Sequence, residues 1–219
     1  MKGNCIKSLL QESSASLGRS LETYWPVANR HTAPEKNPDP NQANVSLHVA
    51  HAMLCAGFAV FGEADYPLAA RPDRLDVLGI SPEGNWFLAC EFDKLSYKNE
   101  DQPLEIMLKG LCRLEAFWLR KELPLDRFGE EAYRTSVECD CGYGLVGELY
   151  WVREGAEPSV LGFLQQPEQT ARSETERRFL ENLRRLDGVC VQPLPVREVP
   201  TGRYYLLGTY FQIPAPQRP

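Results

Sequence analysis

Two neighbouring stretches decide the fold: Arg74-Leu-Asp-Val-Leu-Gly-Ile-Ser81 and, after a Pro-Glu-Gly-Asn segment, Trp86-Phe-Leu-Ala-Cys-Glu-Phe-Asp-Lys94. Both are largely apolar and the segment between them is rich in turn-forming residues, so we predict two strands joined as a hairpin. Each strand carries a carboxylate near its end, Asp76 in the first and Glu91 in the second. Two strand-borne carboxylates that converge on one point are what a hydrolytic Mg²⁺ site requires.

Asp76 is the more informative of these two acids. It stands between Leu75 and Val77, where a buried carboxylate without a partner would be costly. A functional acidic site explains its position. A hairpin whose acids simply face solvent is the alternative.

The end of the second strand offers further candidate groups. Side chains alternate between the faces of a strand, so Glu91 and Asp93 are expected on one side and Lys94 on the other. This favours Asp93 as an extra metal ligand or general base. Lys94 could face the site only if the strand bulges or ends at Asp93. Oxygen ligands select Mg²⁺ or Mn²⁺ over zinc.

Around this hairpin, the apolar periodicity and the breaker residues predict an alternation of helices and strands. The order α, α, β, β, β, α, β, α, β, β indicates an α/β (α+β) fold around one central mixed sheet flanked by helices. The other predicted helices are 5–25, 41–56, 104–121 and 173–186, and the other predicted strands are 58–61 running on toward 66, 143–152, 189–192 and 203–213.

We divide the chain into three segments. Residues 1–40 form an N-terminal helix and a Pro-rich linker, residues 41–155 form the core, and residues 156–219 add a helix and strands that complete the same domain. The last predicted helix begins with a capping box, in which Ser173 is the N-cap and Glu176 follows three residues later.

The composition limits the function classes. The 219 residues carry a net charge of −6, which argues against a generally basic nucleic-acid-binding coat. The sequence contains neither an apolar run of membrane-spanning length nor a signal-peptide pattern, so we expect a cytoplasmic protein.

The seven cysteines are expected to be reduced and mostly buried, as at Cys55, Cys90 and Cys112. The close pair in Cys139-Asp-Cys141 indicates incidental thiols, because zinc sites usually need two such pairs.

Residues 41–152 resemble the PD-(D/E)xK restriction-endonuclease-like superfamily. The resemblance rests on the order helix, strand, strand with Asp76, strand with Glu91, helix, strand. It implies a restriction-endonuclease-like core in which the two acids bind Mg²⁺ and a lysine two residues after the second acid positions or activates water. Two positions depart from the pattern. Asp93 stands where the lysine is expected, and Gln42 stands where the first core helix often has a glutamate.

The resemblance implies a metal-dependent nuclease in which Asp76 and Glu91 bind Mg²⁺ (or Mn²⁺) and Asp93 adds a ligand or base. Gln42 and Glu63 are second-tier contributors. The alternative is a catalytically inactive protein of this fold that binds a nucleic-acid or protein partner. A homodimer is compatible with either function. The substrate, DNA or RNA, is open at this stage, as is the role of the flanking segments.

Overall fold

The structure is a computed structural model that describes residues 2–28, 42–65, 74–93, 102–115, 117, 139–199 and 202–214. These residues form helices and strands in an order that contains the predicted one and adds two short helices. The elements are α1 (Lys2–Ala28), α2 (Gln42–Cys55), β1 (Ala59–Asp65), β2 (Arg74–Ile80), β3 (Trp86–Asp93), α3 (Gln102–Glu115), β4 (Cys141–Arg153), α4 (Ser159–Gln165), α5 (Pro167–Thr170), α6 (Glu174–Arg185), β5 (Val189–Val199) and β6 (Gly202–Ile213).

Within the described residues the strands form one mixed sheet in the order β1-β2-β3-β4-β6-β5. Only β3 and β4 pair in parallel, and every other neighbouring pair is antiparallel. A parallel pair needs a crossover connection, and α3 lies in the connection between β3 and β4. The predicted class, a mixed sheet with flanking helices, is therefore confirmed.

The β2–β3 hairpin closes as its turn residues predict. The Ser81 amide donates to the Trp86 carbonyl at 2.9 Å, and the Gly84 amide donates to the Ser81 carbonyl at 2.8 Å. Gly84 takes the left-handed conformation with φ of 68°, which glycine adopts at little cost. The hairpin sets the β2–β3 register, in which Ile80 faces Phe87.

Helices cover both faces of the sheet. Trp86, Leu88 and Cys90 belong to a core cluster with α1 and α2, whereas Phe87 and Ala89 belong to a cluster with α3, α4 and α6. This separation follows from the alternation of side chains along β3. We call the two sides the α1–α2 face and the α3 face.

A glycine brings α3 close to the sheet. A Cβ added to Gly110 would lie 2.8 Å from a methyl carbon of Val146 on β4, which is too short for any side chain. The helix backbone therefore approaches β4 more closely than another residue would allow. This close packing fixes the position of the next helical turn, which carries Arg113.

Three larger differences separate the structure from the predictions. The predicted short strand at 189–192 continues to Val199 despite Pro193 and Pro195, because β5 lies at the sheet edge and its pairing with β6 is interrupted by register shifts. Helix α3 ends at Glu115, and residues 118–121 of its predicted extension lie outside the described residues. The short helices α4 and α5 were not predicted, since they span too few residues for a periodic signal.

Candidate acidic site

Asp76 and Glu91 come together where β2 begins and β3 approaches its end. The last residue pair in the β2–β3 register is Val77 with Cys90, so Asp76 and Glu91 are the next residue on each strand. Asp76 Oδ2 accepts a hydrogen bond from the Phe92 amide at 2.6 Å. The Asp76 carboxylate therefore lies against the β3 backbone next to Glu91.

Glu91 is buried and is paired with a cation from the helix above it. Its side chain is 7% exposed, and Oε2 lies 3.1 Å from Nη1 of Arg113, whose own side chain is 40% exposed. Arg113 lies on α3, three residues beyond the closely packed Gly110. A buried carboxylate needs such a partner, because desolvation disfavours its charged form.

A third acid, Glu148, lies on the neighbouring strand β4. It is fully buried, and its register partner on β3 is Asp93. Its neighbours on β4 at two-residue spacing, Val146 and Tyr150, both pack in the cluster of the α3 face. Glu148 therefore belongs to the same face as Glu91, one strand across and further along the sheet.

The negative charges of Asp76 and Glu91 also affect a thiol on the opposite face of the sheet, that of Cys90. Burial raises the pKa of Cys90 well above its ordinary value, and the negative charges of Asp76 and Glu91 raise it further. Cys90 itself packs in the cluster of the α1–α2 face. The two acids thus act on Cys90 from the other side of the sheet.

The other predicted site residues are described in part. Asp93 ends β3, Glu63 lies in β1 and Gln42 begins α2, but their side chains lie outside the described part of the structure. Lys94 lies outside the described residues altogether. The choice between Asp93 and Lys94 as the group that faces the acids stays a prediction.

The carboxylate oxygens of Asp76 and Glu91 are the ligand type that a hard cation prefers, and two carboxylates are a number that such a cation commonly binds. No group of three or more His, Cys, Asp or Glu residues within the described ranges is arranged to hold a metal ion. Mg²⁺ commonly uses one or two carboxylates and completes its octahedron with water and substrate oxygens. Asp76 and Glu91 could supply that pair. Arg113 provides the positive charge beside Glu91 in this structure.

Two members of this site, Arg113 and Glu148, were missed by the sequence analysis. Glu148 carries the signal that made Asp76 conspicuous, an acid within a largely apolar strand, here between Gly147 and Leu149. Arg113 carries no comparable signal. It lies on a helix with a mixed polar face, and only the docking of α3 brings it to Glu91.

The cysteine prediction holds in part. All seven cysteines are free thiols, and Cys90 is buried as expected. Cys55 and Cys112, by contrast, are exposed. Each lies near the end of a helix that has an exposed side, so an apolar sequence neighbourhood does not ensure a buried position.

A separate cavity of about 740 Å³ opens near the far end of β4. It is bounded by the β4–α4 connection and by the adjoining ends of β5 and β6, and its lining includes none of the predicted site residues. Its lining mixes both signs of charge, with Arg153 near Glu154 and Glu157 in sequence and Arg203 paired with Glu198 at 3.0 Å. This balance indicates no ligand class.

Comparison with protein-family models, with curated proteins and with solved structures gives no match to this chain. Among the described helices, none combines the length and the apolar character needed to cross a bilayer.

Proposed function

We propose that this chain is a metal-dependent phosphodiester hydrolase with a restriction-endonuclease-like core. The observation that carries the proposal is the convergence of Asp76 and Glu91 across the β2–β3 hairpin. The element order α2-β1-β2-β3-α3-β4, with β3 and β4 parallel, supports it because this is the core order that the resemblance implies.

In this proposal each acid has a defined role. Asp76 and Glu91 hold Mg²⁺ or Mn²⁺, which when bound would lower the pKa of a water ligand and stabilise negative charge on phosphate. Asp93, two residues beyond Glu91, adds a ligand or accepts the proton of the attacking water. Gln42 and Glu63 are second-tier groups that orient the site. Cytoplasmic localisation belongs to the same proposal and is supported by the free thiols.

Arg113 has two functions in the proposed site. Without metal, its guanidinium offsets the charge of the buried Glu91 carboxylate. Its side chain is 40% exposed, so it can also meet a phosphate oxygen of a bound strand. Arg113 on α3 would thus supply the positive charge that the lysine of the motif supplies, since Asp93 stands at the lysine position.

The test is cleavage of labelled single- and double-stranded DNA and RNA with Mg²⁺ or Mn²⁺. We expect cleavage by the wild type and a loss on the order of 100-fold in Asp76→Asn, which keeps an acceptor for the Phe92 amide but removes the charge. Asp76→Ala should lose at least as much. Glu83→Gln, in the exposed turn of the same hairpin, is the matched control and should cleave normally.

Two outcomes would contradict the proposal. Equal cleavage by the wild type and both Asp76 variants would indicate a contaminating nuclease. Failure of the wild type to cleave any substrate, combined with no rise in melting temperature on adding Mg²⁺ or Mn²⁺, would remove the metal site itself.

The second candidate function is a catalytically inactive protein that keeps this fold and binds a nucleic-acid or protein partner. The observation that favours it is that both acids already have protein partners, the Phe92 amide for Asp76 and Arg113 for Glu91. Fluorescence anisotropy with the same nucleic acids in EDTA separates the two candidates. Metal-independent binding without cleavage, unchanged in Asp76→Asn, would support the inactive protein.

A further inference from the structure

A contact between a lysine and a cysteine lies at the other end of β3 and β4 from the acidic site. Nζ of Lys2, at the start of α1, donates to Sγ of Cys141, the first residue of β4, at 2.7 Å. The same ammonium lies 5.9 Å from the centroid of the Trp86 ring. Trp86 is the register partner of Cys141, so the contact joins the first turn of α1 to two adjacent strands.

The surroundings hold the two groups together. Packing against the aromatic ring favours the ammonium position through a cation–π interaction. The hydrogen bond to Cys141 raises the pKa of Lys2, and the nearby Tyr143 and Asp140 contribute in the same direction. Lys2 and Cys141 are each partly exposed, so a small oxidant can reach the pair.

We propose that Lys2 and Cys141 form an oxidative modification site, in which peroxide converts the contact into a covalent S–N cross-link. The partly exposed Cys141 sulfur already contacts the Lys2 nitrogen, and sulfenic acids condense with nitrogen nucleophiles. The oxidant is hydrogen peroxide, a small molecule that needs no cavity.

The chemistry proceeds in two balanced steps. The Cys141 thiolate attacks one peroxide oxygen, the O–O bond breaks, sulfur is oxidised by two electrons, and hydroxide leaves to give the sulfenic acid. The Lys2 amine, after losing its extra proton to solvent, then attacks sulfur. The S–N bond forms as the S–O bond breaks, and the departing hydroxide takes a proton from nitrogen and leaves as water.

Cys139 is the obvious competitor, because it is two residues from Cys141 and could form a disulfide. In the structure, however, the Cys139 and Cys141 side chains pack against different faces of the sheet. Cys139 packs against the cluster of the α3 face and its thiol donates to the Gly84 carbonyl at 3.8 Å, whereas Cys141 packs against the cluster of the α1–α2 face. The Lys2 nitrogen, by contrast, is already in contact with the Cys141 sulfur.

The cross-link would close a loop from residue 2 to residue 141 and hold α1 on the sheet. Closing a long loop restricts the unfolded chain, so the oxidised protein should melt on the order of 5 °C higher than the reduced one. The link is reversible by thiols, since the S–N bond is cleaved by thiol attack on sulfur.

The experiment treats the full 219-residue chain with a small excess of hydrogen peroxide at mildly alkaline pH. Non-reducing digestion and mass spectrometry then identify linked peptides. We expect the Lys2 and Cys141 peptides to be joined with the loss of two hydrogens, and the link to disappear on adding dithiothreitol. The joined peptides should persist in Cys139→Ser and be absent in Cys141→Ser.

Lys2→Arg is the decisive control because it keeps the positive charge but lacks a nucleophilic amine. In this variant Cys141 should stop at the sulfenic acid or go to higher oxides, and the rise in melting temperature should vanish. A Cys139–Cys141 disulfide that forms equally in the wild type and Lys2→Arg would overturn the proposal. So would oxidation of Cys141 in the wild type without any link to Lys2.

Discussion

Two regions of the molecule pair a glutamate with an arginine in opposite surroundings. One is the acidic corner formed by Asp76, Glu91 and Arg113, and the other is the exposed surface of α5 and α6. In the corner, the nearly buried Glu91 meets Arg113 at 3.1 Å. On the surface, Glu168 meets Arg184 with both side chains about 60% exposed. A buried carboxylate depends on its partner for its charge, whereas an exposed one is already stabilised by water. Burial, and not pairing as such, therefore determines how strongly the charge of each carboxylate depends on its arginine.

The strongest test of this contrast removes the cation of the corner. Arg113→Leu leaves the Glu91 carboxylate buried without its guanidinium, so we expect the free energy of unfolding to fall by about 2–3 kcal/mol. Urea denaturation measures the change. Lys109→Leu, at an exposed position one turn earlier on α3, is the matched control. A loss in Arg113→Leu no larger than in the control would mean that the corner behaves like the surface.

A buried acid that accepts hydrogen bonds from backbone amides should show an intermediate effect. Glu176 is 4% exposed and its Oε2 accepts from the amides of Ser173 at 2.8 Å and Arg172 at 2.6 Å, which confirms the predicted capping box. Glu176→Ala leaves these amides at the start of α6 without their acceptor and should cost about 1–2 kcal/mol. Thermal and urea unfolding check it, with the exposed Glu181→Ala as control. Glu176→Gln, which keeps one acceptor oxygen, should lose less than Glu176→Ala. Equal losses would argue against the hydrogen bonds as the cause.

The pair of Arg185 and Glu115 is partly exposed, so its dependence on water is intermediate between those of the other two pairs. The hydrogen bond from Arg185 Nη2 to Glu115 Oε2, 2.8 Å long, lowers the pKa of Glu115 below its ordinary 4.5. A lowered folded-state pKa stabilises the protein above the unfolded-state pKa, and that contribution is lost as the pH falls through the folded-state value. Glu115→Gln should therefore cost less than about 1 kcal/mol at pH 7, and its stability should converge with the wild type in acid. Urea midpoints across pH measure this. A gap that stays constant with pH would contradict the assignment.

The smallest effect is expected at the fully exposed pair. Glu168→Gln breaks the contact with Arg184, but both groups are solvated with or without it. We expect no measurable change in the urea midpoint at moderate salt. A shift as large as that of Glu115→Gln would show that the α5–α6 surface pair is more strongly coupled than its exposure indicates.

Local signals account for most of what the sequence predicted correctly. The Gly84 turn, the Ser173 capping box and the alternating strands each depend on residues a few positions apart. Strand β5 was predicted too short because a proline blocks a central strand but not an edge strand with register shifts. Whether a strand is at the edge is a property of the whole sheet.

The acidic site likewise has one part that follows from local sequence and another that depends on the whole fold. The sequence alone determined that Asp76 and Glu91 lie on consecutive strands of one hairpin, since a short turn leaves little choice of register. The contact of Arg113 with Glu91 and the position of Glu148 on the strand beside them, by contrast, arise from tertiary packing. Both depend on the docking of α3 through Gly110 and on the parallel pairing of β3 with β4. Such contacts join residues far apart in the chain, and no local pattern encodes them.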